Sequence, residues 1–510
     1  MTIAACLSSA VAVLPAALML AAMRTSPATA DAAAWRRFHR LARAALAATL
    51  AGLGLQWAAA PGALLAPALE PSLAGAWVAV LVQWLGTVIG AFSSRYLQGE
   101  RNQKRYMAAL GGVLAAVHLL LLAGHWLVLI AAWAGVGFAL QRLLCFYDDR
   151  PFALLAAHKK RLSDRLADAL LVGAAALAWI GTGSGSFAAL WRHLGPGAPA
   201  SPAVQLGALL LALAVVLRTA LLPVHGWLIQ VMEAPTPVSA LLHAGVVNLG
   251  GFVLIRFAPL LQAVPAARWL LVGIGLTTAL LAGLVTLTRV SIKVRLAWST
   301  VAQMGFMVME CGLGLYTLAL LHLIGHSLYK AHAFLGASSA VEQARLRMMR
   351  GKAAFSTPTL LAAPLLAAAV LALVAAALPA AIWPWWWIGV LALAWAPMLW
   401  WPAMRERDAP GIARRLLAGI AMIGILALAA LAAHALPFGV ADAPDAGAGI
   451  AVLAGMTLLY AGLALLQVRP QALAGWRRWS YAGFYVDEFA TRAVLRLWPT
   501  RWTPRFQRAD

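Results

Sequence analysis

Apolar runs of about 20 residues recur along this chain from one end to the other, the length a helix needs to cross a bilayer. Of its 510 residues 63% are hydrophobic and 11% charged. A soluble chain normally carries about a quarter charged residues. The pattern therefore specifies an all-α polytopic membrane protein. About fifteen transmembrane helices are read, starting near residues 2, 44, 72, 107, 126, 166, 203, 235, 269, 296, 316, 358, 384, 416 and 448. The span near 203 is expected to break at Pro223 and continue to about Met232.

The formal net charge is +22, and its distribution explains it better than a nucleic-acid partner would. With fifteen spans, alternate loops cover 24–43, 95–105, 142–165, 289–295, 345–352, 404–415 and the tail from 469. These segments hold 34 of the 39 Lys and Arg residues. The opposite loops hold only Arg192, Arg256 and Arg268, while Arg218 and Lys330 lie within spans. Positive charge stays on the cytoplasmic side, so the N-terminus is expected outside and the C-terminus inside a bacterial inner membrane. Residues 1–23 have no basic segment before the apolar run, and Arg24 follows it, so they read as a first span rather than a cleaved signal. Cys6, Cys145 and Cys311 are far apart, match no metal or redox spacing and read as helix packing. No phosphate-binding loop, dinucleotide fingerprint or haem-attachment motif occurs, so transport must run on an ion gradient or on a partner.

One stretch sets charge inside the apolar sequence. LRTALLPVHGWLIQVMEAPTPVSALLHAGVVNLGGFVLIRF (217–257) contains Arg218, His225, Glu233 and His243 together with Pro223, Pro235 and Pro237. A charge at the centre of a membrane helix costs about 2.5–3.5 kcal/mol on insertion scales, so such groups face a bundle interior or a wet cavity. Broken helices at that depth persist where protein or water satisfies the freed backbone groups. Charge and helix breaks together are the requirements of an ion-handling protein.

Further polar residues follow helical spacing. His322, His326 and Lys330 step by four along HLIGHSLYKAHAF, forming a stripe down one face, with His332 off it. Such a row suits proton transfer, because His titrates near neutrality. Zinc at His322 and His326 is rejected for want of a third ligand nearby in sequence. RLSDRLAD (161–168) puts Asp164 and Asp168 on one face beside Arg161 and Arg165. These acids read either as helix-dipole partners or as acceptors at the mouth of an ion path. Glu233 reads as another acceptor or as a partner of Arg218, Glu310 as an interfacial residue, and His118 stays open between the two roles. Pro379 in VAAALPAAIW is a second candidate break, hinting at inverted repeats, yet 358–403 has no ionisable group before Arg405. The C-terminal WRRWSYAGFYVDEFATRAVLRLWPTRW alternates aromatics with Arg and reads first as an amphipathic helix at the lipid interface, with partner docking as the alternative.

LPVHGWLIQVMEAPTPVSALLHA (222–244), VRLAWSTVAQMGFM (294–307), HLIGHSLYKAHAFL (322–335) and GFYVDEF (483–489) resemble the signature blocks of the antiporter-like membrane subunits of respiratory complex I and of cation/proton antiporters. The resemblance spans roughly residues 70–345 plus the tail. Within that superfamily, HAGVVNLGGFVLIRFAPL (243–260) and HSLYKAHAFLGASSAVEQ (326–343) look most like the DabB subunits of bacterial inorganic-carbon accumulation complexes. The resemblance implies a broken-helix, inverted-repeat fold and a large cytoplasmic zinc partner, DabA, resembling a β-carbonic anhydrase. It also implies that a proton or sodium gradient drives one-way hydration of CO2 by that partner. Where the respiratory subunits place a Glu in the fifth span, this chain has Ala134 in WAGVG (133–137), and it has Arg218 at their Lys position. The charged residue implied for the twelfth span is absent as well.

The expectations are then as follows. Residues 1–106 form peripheral spans, 107–258 a first repeat carrying the ion path, 259–470 a second, less polar repeat with the C-terminal spans, and 471–510 a cytoplasmic amphipathic tail. Asp164, Arg218, Glu233, His243, His322, His326 and Lys330 form or bias the ion path. The chain itself is expected to be a transporter subunit rather than an enzyme, with no cofactor of its own, zinc in the partner, lipid around it and no nucleic acid. The alternative is a proton-translocating subunit of a complex I-like enzyme or a cation/proton antiporter.

Overall fold

In the computed structural model the chain is described over residues 3–26, 28–58, 66–195, 200–337, 357–377, 383–401, 409–469, 471–472 and 474–500. Pro379, Arg405, the basic segment 345–352 and motif residues 338–343 lie outside them. Among the described residues there are no strands, only isolated bridges such as Leu69 with Ala123.

The helices run in order as α1 (Ile3–Met23), α2 (Asp31–Ala58), α3 (Leu73–Tyr96), α4 (Gln103–Leu121), α5 (Trp126–Leu144), α6 (Pro151–Thr182), α7 (Phe187–His193) and α8 (Pro202–Arg218). Short pieces follow: α9 (Gly226–Gln230), α10 (Thr236–Ala244), α11 (Leu249–Arg256) and α12 (Ala258–Ala263). Long helices return with α13 (Pro265–Thr288), α14 (Ile292–Leu313), α15 (Tyr316–Leu335), α16 (Thr357–Ala376), α17 (Trp385–Trp395), α18 (Ala409–His434) and α19 (Ala446–Val468). Two amphipathic helices, α20 (Ala474–Tyr481) and α21 (Val486–Leu497), end the described chain. Their starts carry ordinary signals: Ser72, Ser201 and Asp445 accept from the backbone N–H three residues on, and Pro151, Pro202 and Pro265 open α6, α8 and α13.

Nine described helices are long and apolar enough to cross a membrane, with shorter apolar ones at Leu7–Met23, Pro202–Arg218 and Trp385–Leu399. Of the fifteen expected spans, the remaining three, α2, α14 and α15, are in neither group. Each carries charge: four Arg on α2, Lys293, Arg295 and Glu310 on α14, and the His/Lys stripe on α15.

One hydrophobic core joins α1–α15, and a smaller, tryptophan-rich core holds α16–α19 around Trp383, Trp386 and Trp387. Helices α13 and α14 pack with backbones nearly touching: a Cβ at Gly275 would lie 2.6 Å from the Gly305 carbonyl. Close approach of this kind is how membrane helices gain contact without a hydrophobic drive between them. Leu361, Leu365 and Leu458 point outward, an exposure suited to lipid and costly in water.

The described basic loops 95–105 and 142–165 meet the C-terminal segment at one end of the bundle. There Tyr147 meets Glu100 at 3.4 Å, Arg150 donates to the Glu233 carbonyl at 2.7 Å, and His158 meets the Trp498 carbonyl at 3.1 Å. At the opposite end the Glu70 N–H donates to Leu122, Trp126 to Gly185, and Arg256 to the Glu70 carboxylate at 3.1 Å.

Candidate functional site

The predicted break at Pro223 is real, and its backbone is accounted for. Helix α8 ends at Arg218, and Ala220 adopts a left-handed φ of 54°, rare for a residue with a Cβ. The Leu222 N–H, freed from the helix, donates to Thr278 Oγ1 of α13 at 3.3 Å. The chain then makes only five residues of α9 and a 3-10 turn (Val231–Glu233) before α10 begins. A second interruption at Gly245–Asn248 separates α10 from α11, and the Asn248 amide bridges to Ser327 on α15 at 2.7 Å.

Around the first break lies a charge cluster on α6 and α8. Arg218 is 3% exposed and donates to the Asp168 carboxylate and to the Trp133 carbonyl, the latter at 3.0 Å. Asp164 lies 3.7 Å from the same guanidinium and also accepts from Lys160, one turn before it. Lys160 and Arg218 thus share two carboxylates and leave no net buried charge. That balance matters, because removing one partner of a buried ion pair leaves an uncompensated charge costing about 3–5 kcal/mol. Arg218 stays protonated and sets the field; protons can only be carried by Lys160 and the two aspartates. The Asp164 carboxylate fills the space where Gly137 of α5 has no side chain, 2.7 Å from an ideal Cβ there. The Asp164 carboxylate of α6 thus lies against the WAGVG segment of α5.

A second cluster follows the predicted stripe on α15. Lys330 reaches across to α14, donating to the Leu296 carbonyl at 3.0 Å and to Ser299. His326 follows with no hydrogen-bond partner on either ring nitrogen, and its ring centroid lies 6.0 Å from that of His322. His322 Nδ1 meets the Glu310 carboxylate at 2.7 Å. Glu310 is buried rather than interfacial as expected, because α14 and α15 fold back on each other and place it opposite the stripe. His243 of α10 packs flat against Phe334 at 4.5 Å, within electrostatic reach of Lys330, and its ring nitrogens are also unpartnered. Asp442, from the loop before α19, accepts from the Thr317 N–H at 2.7 Å and so caps α15 from outside. Burial raises the Asp442 carboxyl above the usual carboxylate range.

Helix α9 lies between these clusters. Trp227 stands 5.2 Å from the Lys160 ammonium, and His225 lies 4.8 Å from Trp298, the neighbour of Ser299. Of the seven predicted residues, Asp164 and Arg218 come together in the first cluster, and His243, His322, His326 and Lys330 in the second. Glu233 joins neither. Its carboxylate accepts from the Ala153 N–H at 3.3 Å, in the first turn of α6, and it does not meet Arg218. His118 bonds Gln83 at 2.9 Å, and Gln83 donates to Ala42, so this histidine ties α4 to α3 and α2. Sequence reading left out Lys160, although its i,i+4 spacing to Asp164 marks it, and Lys159, whose partner lies 328 residues away.

At the opposite end a cavity of about 380 Å3 is lined by Glu70, Trp191, Arg256 and Gln262 among others. Among the described residues no group of three or more His, Cys, Asp or Glu is placed to hold a metal ion.

Comparison with known proteins agrees with this architecture. Residues 123–406 match the family described as NADH:quinone oxidoreductase/Mrp antiporter, TM. A probable inorganic carbon transporter subunit DabB of Hydrogenovibrio crunogenus is 38% identical over 86% of this chain and 86% of its own length. A probable inorganic carbon transporter subunit DabB2 of Halothiobacillus neapolitanus is 46% identical over 52% of this chain and 49% of its own. NADH-quinone oxidoreductase subunit L of Mycobacterium tuberculosis is 33% identical over 51% of this chain and 42% of its own. In fold, a chain of the Mrp complex from Dietzia sp. superposes with a TM-score of 0.59 at 23% identity, covering 96% of this chain and 60% of that one. The chain belongs to the NADH:quinone oxidoreductase/Mrp antiporter membrane family and, within it, groups with the DabB inorganic carbon transporter subunits.

Proposed function

We propose that this chain is the membrane subunit of an energy-coupled inorganic carbon pump, conducting H+ or Na+ to drive a soluble zinc partner of the carbonic anhydrase type. Similarity to DabB subunits supports the substrate class. The observation that carries the ion-coupled part is the pair of buried clusters on either side of the α8–α9 break: Lys160, Asp164, Asp168 and Arg218 on one, Glu310, His322, His326, Lys330 and His243 on the other. In lipid such groups are retained where ions pass or are held. The basic end is the cytoplasmic one, in a bacterial inner membrane, and the partner docks there.

Ion flow works as follows. Arg218 holds a fixed positive charge against Asp164 and Asp168, so an arriving cation or proton changes the balance shared with Lys160. Displacing the Lys160 charge is felt across α9, and the α15 row takes up or releases a proton in response. The free ring nitrogens of His326 and His243 are the acceptors in that row. The partner consumes the proton-motive or sodium-motive energy as directional hydration of CO2.

Gentle purification of the tagged chain from native membranes, with identification of companions and a zinc assay, tests the assignment. One large soluble zinc protein is the expected companion. Recovery instead with several antiporter-like subunits, or with flavin and iron–sulfur proteins, would replace it by the respiratory or antiporter reading.

A further inference from the structure

The C-terminal segment does more than lie along the bundle. At its centre Gly483, Phe484 and Tyr485 all have positive φ, from 55° to 66°, so the chain turns sharply before α21 starts. The turn aims Asp487, in the first turn of α21, inward against α6 and α9. There its carboxylate pairs with Lys159, accepts from Gln230 at 2.9 Å, and lies beside Thr491, which itself accepts from Lys159 at 2.6 Å. Lys159 is 5% exposed, so this is a desolvated pair rather than a surface contact. The fit is tight: a Cβ at Gly226 would fall on the Asp487 carboxylate. His225, the residue before that glycine, is fully buried against the Pro223 backbone, and it feels the charges of Asp487, Lys159 and Arg289. Glu488 lies within reach of Lys159 and Arg289. Lys159 and Lys160 are adjacent on α6, so the same turn of helix holds this pair and the Asp164–Arg218 cluster.

We propose that Asp487 is a proton-carrying residue of the ion path, supplied to the mouth of the path at the basic end by the C-terminal segment. This rests on the ion-coupled reading above. A proton from solution binds the carboxylate, which releases Lys159 from its pair. It then passes to an imidazole nitrogen of His225 beside the α8–α9 break, and the restored carboxylate re-engages Lys159. The segment that carries Asp487 therefore also sets when the mouth can load.

The test uses the full chain, with whatever purifies with it, in sealed liposomes in sodium-free buffer, with an imposed pH gradient and a proton-sensitive dye. Asp487→Asn alone would leave Lys159 buried without a counter-charge, so the decisive variant is the pair Asp487→Asn with Lys159→Gln, which keeps hydrogen-bonding shape and removes both charges. Tail docking is read in parallel as resistance of Arg477, Arg478 and Arg492 to trypsin. The expected result is proton flux reduced at least tenfold with trypsin resistance unchanged. Flux within twofold of wild type in the double variant overturns the proposal and leaves Asp487 as a structural clip. If the double variant loses its trypsin resistance, Asp487→Glu decides: recovered docking with recovered flux supports the proposal, and recovered docking without flux overturns it. Wild-type flux without any gradient-dependent carbon uptake would instead overturn the function proposed above while leaving this inference standing.

Discussion

Arg218 is the residue on which the first cluster turns. Both aspartates of α6 meet it, and nothing else buried nearby balances the pair except Lys160. Arg218→Ala should destabilise the protein by about 3–5 kcal/mol, seen as a lower thermal midpoint in detergent and reduced membrane levels. Arg218→Lys, which keeps charge but not the forked geometry, should fold and lose only part of its flux. Gly137→Ala is a sharper probe, because the new Cβ would press on Asp164 at 2.7 Å and displace the carboxylate without altering any charge. Reduced flux at normal membrane level is the expected outcome. At this scale the sequence was partly legible. Asp164, Arg218 and the α15 stripe stand out as charges at helical spacing in apolar runs. Glu310 and Asp487 do not, because what makes them informative is a partner on another helix: His322 across the α14–α15 turn, and Lys159 from the other end of the chain.

At the scale of elements, the break between α8 and α9 is the part most exposed to mutation. Its freed Leu222 N–H depends on one hydroxyl of α13. Thr278→Val should leave that donor unsatisfied at a cost of about 1–3 kcal/mol, measurable as faster hydrogen exchange over 219–230 than in the flanking α8. Helix α15 depends in the same way on a borrowed cap, and Asp442→Ala should cost about 0.5–2 kcal/mol and lower the thermal midpoint. The break itself could be read from Pro223, since a proline removes a helix donor, and so could the interruption before α10 from Pro235 and Pro237. The Gly245–Asn248 interruption carries no proline and was not foreseen; it is fixed by Asn248 binding Ser327, a contact between α15 and a turn 79 residues earlier.

Among the described residues, the basic loops 95–105 and 142–165 share one end with the C-terminal segment and the 380 Å3 cavity opens at the other. That arrangement makes orientation a direct prediction. In intact cells, an impermeant thiol reagent should label Gln262→Cys, which is exposed beside the cavity, and should reach Arg496→Cys on α21 only after the membrane is opened. The overall helical architecture was legible because apolar length acts over long windows and needs no tertiary knowledge. The span count was less so: α2, α14 and α15 each carry charged residues, and composition alone does not class them with the apolar spans.

The most direct test of the account is gradient-driven uptake of inorganic carbon into sealed vesicles, for the wild type and for Lys330→Ala and His326→Ala at matched membrane levels. Wild-type uptake should collapse when an uncoupler or sodium ionophore removes the gradient, and both variants should be near background with the gradient intact. Undiminished uptake in both variants would contradict the claim that the buried row on α15 carries the coupling.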